Sequence, residues 1–284
     1  MSAKEPLFTF FGTPRFAVVV LDALEERGLL PALVVTAPDK QKGRGLKLSA
    51  SPVKEWALER GIDVLEPNDL KDEQFIAELK NTEWDVFIVA AYNKILPKNI
   101  FDIPNHGTLN VHPSLLPKFR GPSPALSAIL SDERATGVTI MQIAEKMDAG
   151  PIVAQAKVEL EESAWPPKGS LFEDLLAKEG GTLLAEILPD WIAGKIDAEE
   201  QNESLATYTR KFKDEDARIN IEGDPHEQLR KIRAFDKNPR AYFLKGIKRV
   251  IITEAQIEND ALVIKRVIPE GKKEMSFADF LKNY

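Results

Sequence analysis

The chain has 284 residues, of which 43% are apolar, and a formal net charge of −7. This length and composition exclude a disordered protein and predict one large domain with a smaller one. The sequence contains no cysteine and only three histidines, which excludes disulfides and thiolate chemistry and disfavours a metal centre. We therefore expect any catalysis to use oxygen and imidazole groups without a metal.

The N-terminal segment predicts neither a leader nor a membrane anchor. Residues 1–6 are polar, and the apolar run that follows at 7–11 is too short for a signal peptide or a membrane span. The expected location is the cytoplasm, and no membrane partner is expected.

Short apolar runs alternate with amphipathic stretches through the first half of the chain. The predicted strands are residues 7–11, 32–36, 86–91 and 107–112, and the predicted helices are 16–27, 52–60 and 72–81. This alternation predicts a parallel sheet, whose ligand crevice lies beyond the carboxyl ends of its strands. The turns at 12–14, 92–93 and 112–113 should therefore meet. The first of them lacks the glycine patterns of dinucleotide and triphosphate sites, which disfavours those classes of enzyme.

Asn110 and His112 lie at the end of the fourth predicted strand, two residues apart. Alternate residues of a strand share a face, so both side chains are expected to point toward the same place. The amide can donate hydrogen bonds to a developing oxyanion, and the imidazole can move a proton. On the residues alone, a strand cap and a structural histidine are equally good interpretations.

After a predicted strand at 137–143, Asp148 falls in a tight turn that contains Gly150 and precedes an apolar run at 151–154. An aspartate beside glycine is most often a turn residue. Farther on, Ser170 and Glu173 have the spacing of a capping box that opens a helix toward Leu188. The stretch around 199–206 reads as an interdomain linker.

The C-terminal segment predicts a small β-rich domain. Residues 224–234 read as a helix, and 250–254 and 262–267 as strands joined through 258–260. Residues 230–284 contain 13 Lys and Arg against 7 Asp and Glu, a net charge of +6, while the rest of the chain carries −13. Such a segment is either an ordinary solvated surface or a binding site for a polyanion.

Ordered motifs run through nearly the whole sequence. They include Phe11-Gly12-Thr13-Pro14, Pro38-Asp39, Gly43-Arg44-Gly45, Asn110-x-His112-x-Ser114-Leu115-Leu116-Pro117 with Arg120-Gly121, Gly137-Val138-Thr139-Ile140-Met141, Asp148-Ala149-Gly150, Ala206-Thr207-Tyr208 and Ile232-Arg233-Ala234-Phe235. In these motifs the chain resembles the methionyl-tRNA formyltransferase family. The Asn-x-His pattern with a downstream Asp is common to folate-dependent formyltransferases, so it indicates the reaction more strongly than the amine that accepts the formyl group.

The resemblance implies an α/β fold: a Rossmann-like formyltransferase domain with a mostly parallel sheet, followed by a small, truncated OB-like barrel. The implied boundaries are residues 1–198 for the catalytic domain, 199–207 for a linker and 208–284 for a domain that binds tRNA. The implied activity transfers the formyl group of 10-formyltetrahydrofolate to the α-amino group of methionyl initiator tRNA. A monomer is expected.

The resemblance also implies roles for individual residues. Asn110 and His112 would stabilise the oxyanion, and Asp148 would favour the imidazolium form of His112 and accept the proton of the amine. The folate would contact Ala91, Tyr92, Ile95, Leu96, Ser114, Leu115, Leu116 and Pro117. The tRNA would contact Lys42, Arg44, Lys47, Lys237, Arg240, Lys248 and Arg249. Asn93 replaces the usual glycine of the pterin loop and tolerates left-handed backbone geometry.

Two other hypotheses remain open. The shortened barrel and acidic body favour an N-formyltransferase for a small amine of the amino sugar nucleotide type, although the loop around Arg44 opposes it. A protein that binds folate or tRNA without turnover is the third hypothesis, which the presence of Asn110, His112 and Asp148 opposes.

Overall fold

The computed structural model describes residues 5–42 and 47–283 of the chain. Within them, the contacts divide the chain into two compact units. Unit 1 comprises Met1–Arg120, Gly137–Val158 and Asp174–Thr207, and unit 2 comprises Gly121–Thr136, Glu159–Glu173 and Tyr208–Tyr284. The domain boundaries expected from the sequence, 1–198, 199–207 and 208–284, stay a prediction.

The elements follow one another along the chain with strands and helices interleaved. The first half contains β1 (Phe8–Gly12), α1 (Arg15–Glu25), β2 (Leu33–Val35), β3 (Lys40–Lys42), β4 (Lys47–Ser49), α2 (Pro52–Glu59), β5 (Asp63–Leu65), α3 (Glu73–Lys80), β6 (Val86–Ala90), α4 (Lys98–Phe101), β7 (Thr108–His112) and α5 (Pro124–Leu130). The second half contains β8 (Thr136–Gln142), β9 (Ile152–Val158), α6 (Gly169–Ile192), α7 (Pro225–Ala234), β10 (Tyr242–Lys245), β11 (Lys248–Glu258), β12 (Ala261–Pro269), β13 (Met275–Ser276) and α8 (Phe277–Asn283).

Unit 1 is built around a mostly parallel sheet, as the sequence predicts. Among the described residues its strand order is β5-β2-β1-β6-β7-β8-β9. The pairs β5–β2, β2–β1, β1–β6 and β6–β7 are parallel, and β8 runs antiparallel to β7. Every residue of β1 and β6 is buried, and Thr9 is their one polar side chain, as expected for strands that are covered on both faces.

Short polar side chains begin the helices of unit 1. The Ser51 hydroxyl accepts a hydrogen bond from the Lys54 backbone N–H at 3.0 Å, and Pro52 occupies the first position of α2. Asp72 caps α3 in the same way, accepting from the Gln74 N–H at 2.8 Å. These caps explain why the helices begin where the sequence pattern predicts.

Helix α6 begins differently from the expected capping box. Ser170 lies inside the helix, and its backbone N–H donates to Asp236 Oδ1 at 3.0 Å while its hydroxyl donates to Asp236 Oδ2 at 2.5 Å. The expectation that Ser170 caps the helix is therefore wrong. The acceptor for the start of α6 comes from a residue 66 positions later in the chain.

Unit 2 contains a small antiparallel sheet, which confirms the expected β-rich C-terminal domain. In the part of the chain that is described, its strand order is β10-β11-β12-β13. Asn259 and Asp260, both with positive φ, make the two-residue turn between β11 and β12. Helices α7 and α8 contribute Leu229, Ile232 and Phe280 to an apolar core with the sheet.

The segment expected to be a linker is hydrogen-bonded within unit 1. Glu199 forms a β-bridge with Ile152, and Thr207 exchanges backbone hydrogen bonds with Pro117 and Arg120. Of the helices in the described ranges, none has the length and apolar character needed to cross a bilayer.

Candidate active site

Three strand ends meet at one edge of the sheet of unit 1. Strand β6 lies between β1 and β7, and all three are parallel. Gly12 is the register partner of Ala90, and Val89 is the register partner of Asn110. A Cβ on Gly12 would lie 2.6 Å from the Ala17 Cβ, so this tight turn needs a glycine. The sequence prediction that these turns share an edge is confirmed.

Asn110 and His112 lie on the same face of β7, as expected. Asn110 is half-buried, and within the described residues no hydrogen bond engages its side-chain amide. His112 is 4% exposed, and its Nε2 lies 3.0 Å from the Phe119 carbonyl oxygen. Because a carbonyl only accepts, Nε2 carries the hydrogen and Nδ1 of the neutral ring is an acceptor. The fold thus fixes the tautomer of His112.

Asp148 lies beside the open nitrogen of His112. Its Oδ2 is 3.8 Å from His112 Nδ1, and both side chains are largely buried. This separation is too long for a direct hydrogen bond, but a primary amine can lie within hydrogen-bond distance of both atoms. The turn is tight, since Asp148 has a φ of 51° and a Cβ on Gly150 would lie 1.9 Å from the Gln142 carbonyl oxygen.

The segment that follows His112 is held by polar side chains of β8 and β9. Thr139 Oγ1 donates to the Ser114 carbonyl at 2.7 Å and accepts from the Leu116 N–H at 3.1 Å. Gln155 Nε2 donates to the Leu116 carbonyl at 2.9 Å, and the Leu116–Pro117 peptide bond is cis. No local sequence pattern predicts this role for Thr139 or Gln155, because each is an ordinary residue for a strand.

Ser114 itself is buried, and its hydroxyl donates to the Lys118 carbonyl at 2.7 Å. This hydroxyl is therefore used inside the protein. Leu115 and Pro117 are half-buried and Leu116 is buried. Contact between folate and the segment Ser114 to Pro117 remains a prediction. It would use the apolar atoms and the backbone of the segment rather than the Ser114 hydroxyl.

The loop after β6 differs in detail from the sequence expectation. The left-handed residue is Ala91, with a φ of 48°, rather than Asn93. The Tyr92 ring packs edge-on against Phe11 at 5.6 Å, and its buried hydroxyl has no hydrogen-bond partner among the described residues. Burial raises the pKa of Tyr92 to about 12. Leu96 is buried, whereas Ile95 is 76% exposed.

The basic residues expected to contact tRNA have different surroundings. Lys42 and Lys47 are register partners in the β3–β4 ribbon, and Arg44 lies outside the described residues. In unit 2, Lys237 and Lys248 are exposed and Arg240 is half-buried.

Arg249 has intramolecular contacts that account for its position. Its guanidinium stacks on the Tyr242 ring at 3.7 Å, and its Nη1 lies 3.1 Å from Asp214 Oδ2. Its Nη2 donates to the Arg240 carbonyl at 3.0 Å. The predicted tRNA contact of Arg249 remains a prediction, and it would have to coexist with these interactions.

Residues 6–168 match the family described as "Formyl transferase". This match, with the sheet and the strand ends described above, defines the class of protein as a formyl-transferring enzyme. A methionyl-tRNA formyltransferase of Chloroflexus aggregans (strain MD-66 / DSM 9485) is 43% identical over 253 residues, which cover 89% of this chain and 81% of that protein. The chain belongs to the methionyl-tRNA formyltransferase family.

Solved structures show the same fold at lower identity. A methionyl-tRNA formyltransferase from Clostridium thermocellum aligns with a TM-score of 0.62 at 16% identity, covering 93% of this chain and 98% of that one. A sugar N-formyltransferase from Shewanella sp FDAARGOS_354 aligns with a TM-score of 0.63 at 17% identity, covering 95% and 100%. The fold is thus common to formyltransferases with different named substrates.

Proposed function

We propose that the chain transfers the formyl group of 10-formyltetrahydrofolate to the α-amino group of methionyl initiator tRNA, with Asn110, His112 and Asp148 as catalytic residues. The observation that carries the proposal is the 3.8 Å separation of His112 Nδ1 and Asp148 Oδ2, with Asn110 two residues before His112 on the same strand. The folate supplies a formyl carbon that a primary amine can attack. The new bond joins this carbon to the amine nitrogen, and the bond from the carbon to the folate nitrogen breaks.

Asn110 acts on the negative charge that develops on the formyl oxygen. Its side-chain amide donates hydrogen bonds without giving up a proton, and it is half-buried, where such bonds are stronger than in water. Loss of one such donor typically lowers the rate by about 10² to 10³. Asn110 therefore stabilises the reacting oxygen and takes no part in proton transfer.

His112 and Asp148 act on the proton that the attacking amine must lose. Because Nε2 is committed to the Phe119 carbonyl, His112 can accept this proton only at Nδ1. The imidazolium then faces the Asp148 carboxylate, whose negative charge stabilises it. Protonated Nδ1 can in turn donate to the formyl oxygen or to the leaving nitrogen.

We propose that a flat heteroaromatic ring binds near the end of β6. Phe11, Val89 and Leu96 belong to the apolar core there, and the Tyr92 hydroxyl is a buried polar group without a partner in the described residues. We propose that this hydroxyl hydrogen-bonds the polar edge of the pterin. The backbone of Ser114 to Pro117 would line the formyl-bearing side.

The acceptor tRNA is proposed to contact the β3–β4 ribbon, including Arg44, and the basic surface of unit 2. That surface includes Lys237, Arg240, Lys245 and Lys248. Phosphate contacts of this kind make binding fall steeply with added salt. We propose that the enzyme is a cytoplasmic monomer. Light scattering of the purified protein tests the monomeric state.

The substrate is tested by formyl transfer to charged initiator tRNA at about 50 mM and about 200 mM salt, concentrations across which phosphate contacts weaken strongly. A dTDP-amino sugar is offered in a parallel reaction with the same donor. We expect transfer to the tRNA, weakened at the higher salt. Transfer to the amino sugar alone would support the second candidate, a small-amine N-formyltransferase, which has the same fold. Folate binding with no transfer to either amine would contradict both.

The catalytic roles are tested by Asn110→Ala, His112→Ala and Asp148→Ala. We expect each to lower kcat by about 10² to 10³ while folate binding stays close to that of the parent. His226→Ala is the matched control, since this histidine is an exposed surface residue paired with Asp260 in unit 2. A variant with unchanged kcat would remove that residue from the mechanism.

A further inference from the structure

Gln201 places a fully hydrogen-bonded side-chain amide next to the Asp148 turn. Its Oε1 accepts from Arg120 Nε at 3.0 Å and from Arg120 Nη2 at 2.8 Å. Its Nε2 donates to the Asp148 carbonyl at 2.9 Å and to the Gly150 carbonyl at 2.7 Å. Gln201 is 8% exposed, and these four bonds use the full capacity of its amide.

The orientation of this amide is not ambiguous. A guanidinium only donates, so the oxygen of Gln201 must face Arg120, and backbone carbonyls only accept, so the nitrogen must face the turn. Arg120 is 0% exposed, and its Nη1 lies 2.8 Å from Glu203 Oε1. A buried arginine with bonds on several nitrogens cannot shift without leaving charge unpaired, so it is a rigid anchor for Gln201.

The two carbonyls that Gln201 holds flank the turn that carries the Asp148 side chain. The backbone of Asp148 is in the left-handed region, with a φ of 51°, which costs a non-glycine residue energy unless its surroundings hold it there. The neighbouring backbone adds support, because Glu199 bridges Ile152 on the other side of the turn. The backbone of the Asp148 turn is therefore hydrogen-bonded to a side chain 53 positions away in sequence.

We propose that Gln201 is a positioning residue that keeps the Asp148 carboxylate opposite His112 Nδ1, with Arg120 as its anchor. The proposal rests on the catalytic roles assigned to Asp148 and His112 above. Gln201 touches no reacting atom, and it acts only through the Asp148 turn. Without its amide, the turn loses two donors and the carboxylate loses its fixed distance to the imidazole.

The effect has a predicted sign in the pH dependence of kcat. In the proposed mechanism the Asp148 carboxylate stabilises the positive charge that the His112 ring gains when it accepts the proton, and displacement of the carboxylate weakens this stabilisation. We therefore expect the acidic limb of the kcat profile to move to lower pH. A group that served only to stabilise the fold would not move this limb.

The experiment measures kcat against pH, with saturating folate and charged initiator tRNA, for Gln201→Leu and Gln201→Glu. The leucine removes all four bonds, and the glutamate keeps the acceptor for Arg120 but has no donors for the two carbonyls. We expect kcat to fall about tenfold to a hundredfold, in line with a displacement of about 1 Å, with little change in KM for folate and an acidic limb at lower pH. Gln228→Leu is the control, because this buried glutamine accepts a hydrogen bond from the Asn220 N–H within unit 2.

Asp148→Asn separates failure of this proposal from failure of the proposed mechanism. If Asp148→Asn shifts the acidic limb and adding Gln201→Leu to it produces no further shift, both residues act through one contact. If Asp148→Asn shifts the limb but the folded Gln201 variants keep the parental profile, the positioning role is wrong. An unchanged profile in Asp148→Asn itself would overturn both ideas.

Discussion

At the scale of single residues, the two nitrogens of His112 have different surroundings. Nε2 donates to a backbone carbonyl, and Nδ1 faces the Asp148 carboxylate. The carbonyl belongs to Phe119, whose backbone has a φ of 60° and whose N–H donates to Thr207 Oγ1 at 2.8 Å. The Phe119 carbonyl therefore decides which nitrogen of His112 is available for proton transfer.

Tyr92 gives a prediction in which stability and binding change in opposite directions. Its hydroxyl is buried without a hydrogen-bond partner in the described residues, and such a group destabilises the folded state by about 1–3 kcal/mol. We expect Tyr92→Phe to raise the free energy of unfolding by about 1 kcal/mol, the lower end of this range. If the hydroxyl binds the pterin, the same variant will bind folate more weakly.

Urea unfolding and fluorescence titration with a folate analogue measure the two effects of Tyr92→Phe. A natural control is Tyr208→Phe, since Tyr208 is an exposed side chain of unit 2. A Tyr92→Phe variant that binds folate as tightly as the parent would show that the hydroxyl makes no contact with it.

At the scale of elements, the start of α6 depends on a distant carboxylate. Asp236 accepts from both the backbone N–H and the hydroxyl of Ser170. Its negative charge at a helix N-terminus also interacts favourably with the helix dipole. The local capping-box pattern predicts where the helix begins, but the acceptor at its start is Asp236 and not Ser170.

Asp236→Ala tests this contact. Loss of a side-chain acceptor at a helix N-terminus costs about 1 kcal/mol, so we expect a lower urea midpoint, and Asp236→Asn should recover part of the loss. Asp190→Ala, in the same helix, removes an exposed ion pair with Lys195 and should change stability by at most about 0.5 kcal/mol. Equal midpoints for Asp236→Ala and the parent would contradict the capping role.

At the scale of the whole molecule, opposite charge is divided along the chain. The segment 230–284 carries +6 and the remainder −13. Part of the positive charge lies at the end of the β10–β11 hairpin, where Lys245 and Lys248 are register partners and Ile247 is 95% exposed. Like charges opposite each other in a sheet are destabilising, so this arrangement is more easily explained by binding than by stability.

The double variant Lys245→Ala with Lys248→Ala tests this surface. If both lysines contact tRNA phosphates, we expect weaker tRNA binding and a salt slope reduced by up to about 2, or about 1 per contact. Filter binding at several salt concentrations measures both. Lys80→Ala, an exposed lysine at the end of α3 in unit 1, should leave the slope unchanged. A parental slope in the double variant would exclude the hairpin from the binding surface.

Much of unit 1 and the main chemical groups of its site follow from local sequence. Continuous apolar runs identify β1, β6 and β7, and the caps at Ser51 and Asp72 place the starts of helices. Strand alternation alone puts Asn110 and His112 on one face. The left-handed residue of the β6 loop was not predicted correctly, because Ala91 has no intrinsic preference for that geometry.

The sequence by itself determined the class of fold, the pairing of an amide with an imidazole, and the family to which the chain belongs. Only the tertiary structure decided which nitrogen of His112 is free, that Asp148 faces it, and that Gln201 and Arg120 hold the Asp148 turn. The physical reason is the range of the interactions. Periodicity and capping act over a few residues and are visible in a sequence, whereas Arg120 and Gln201 are 81 positions apart and meet only because the sheet brings their segments together.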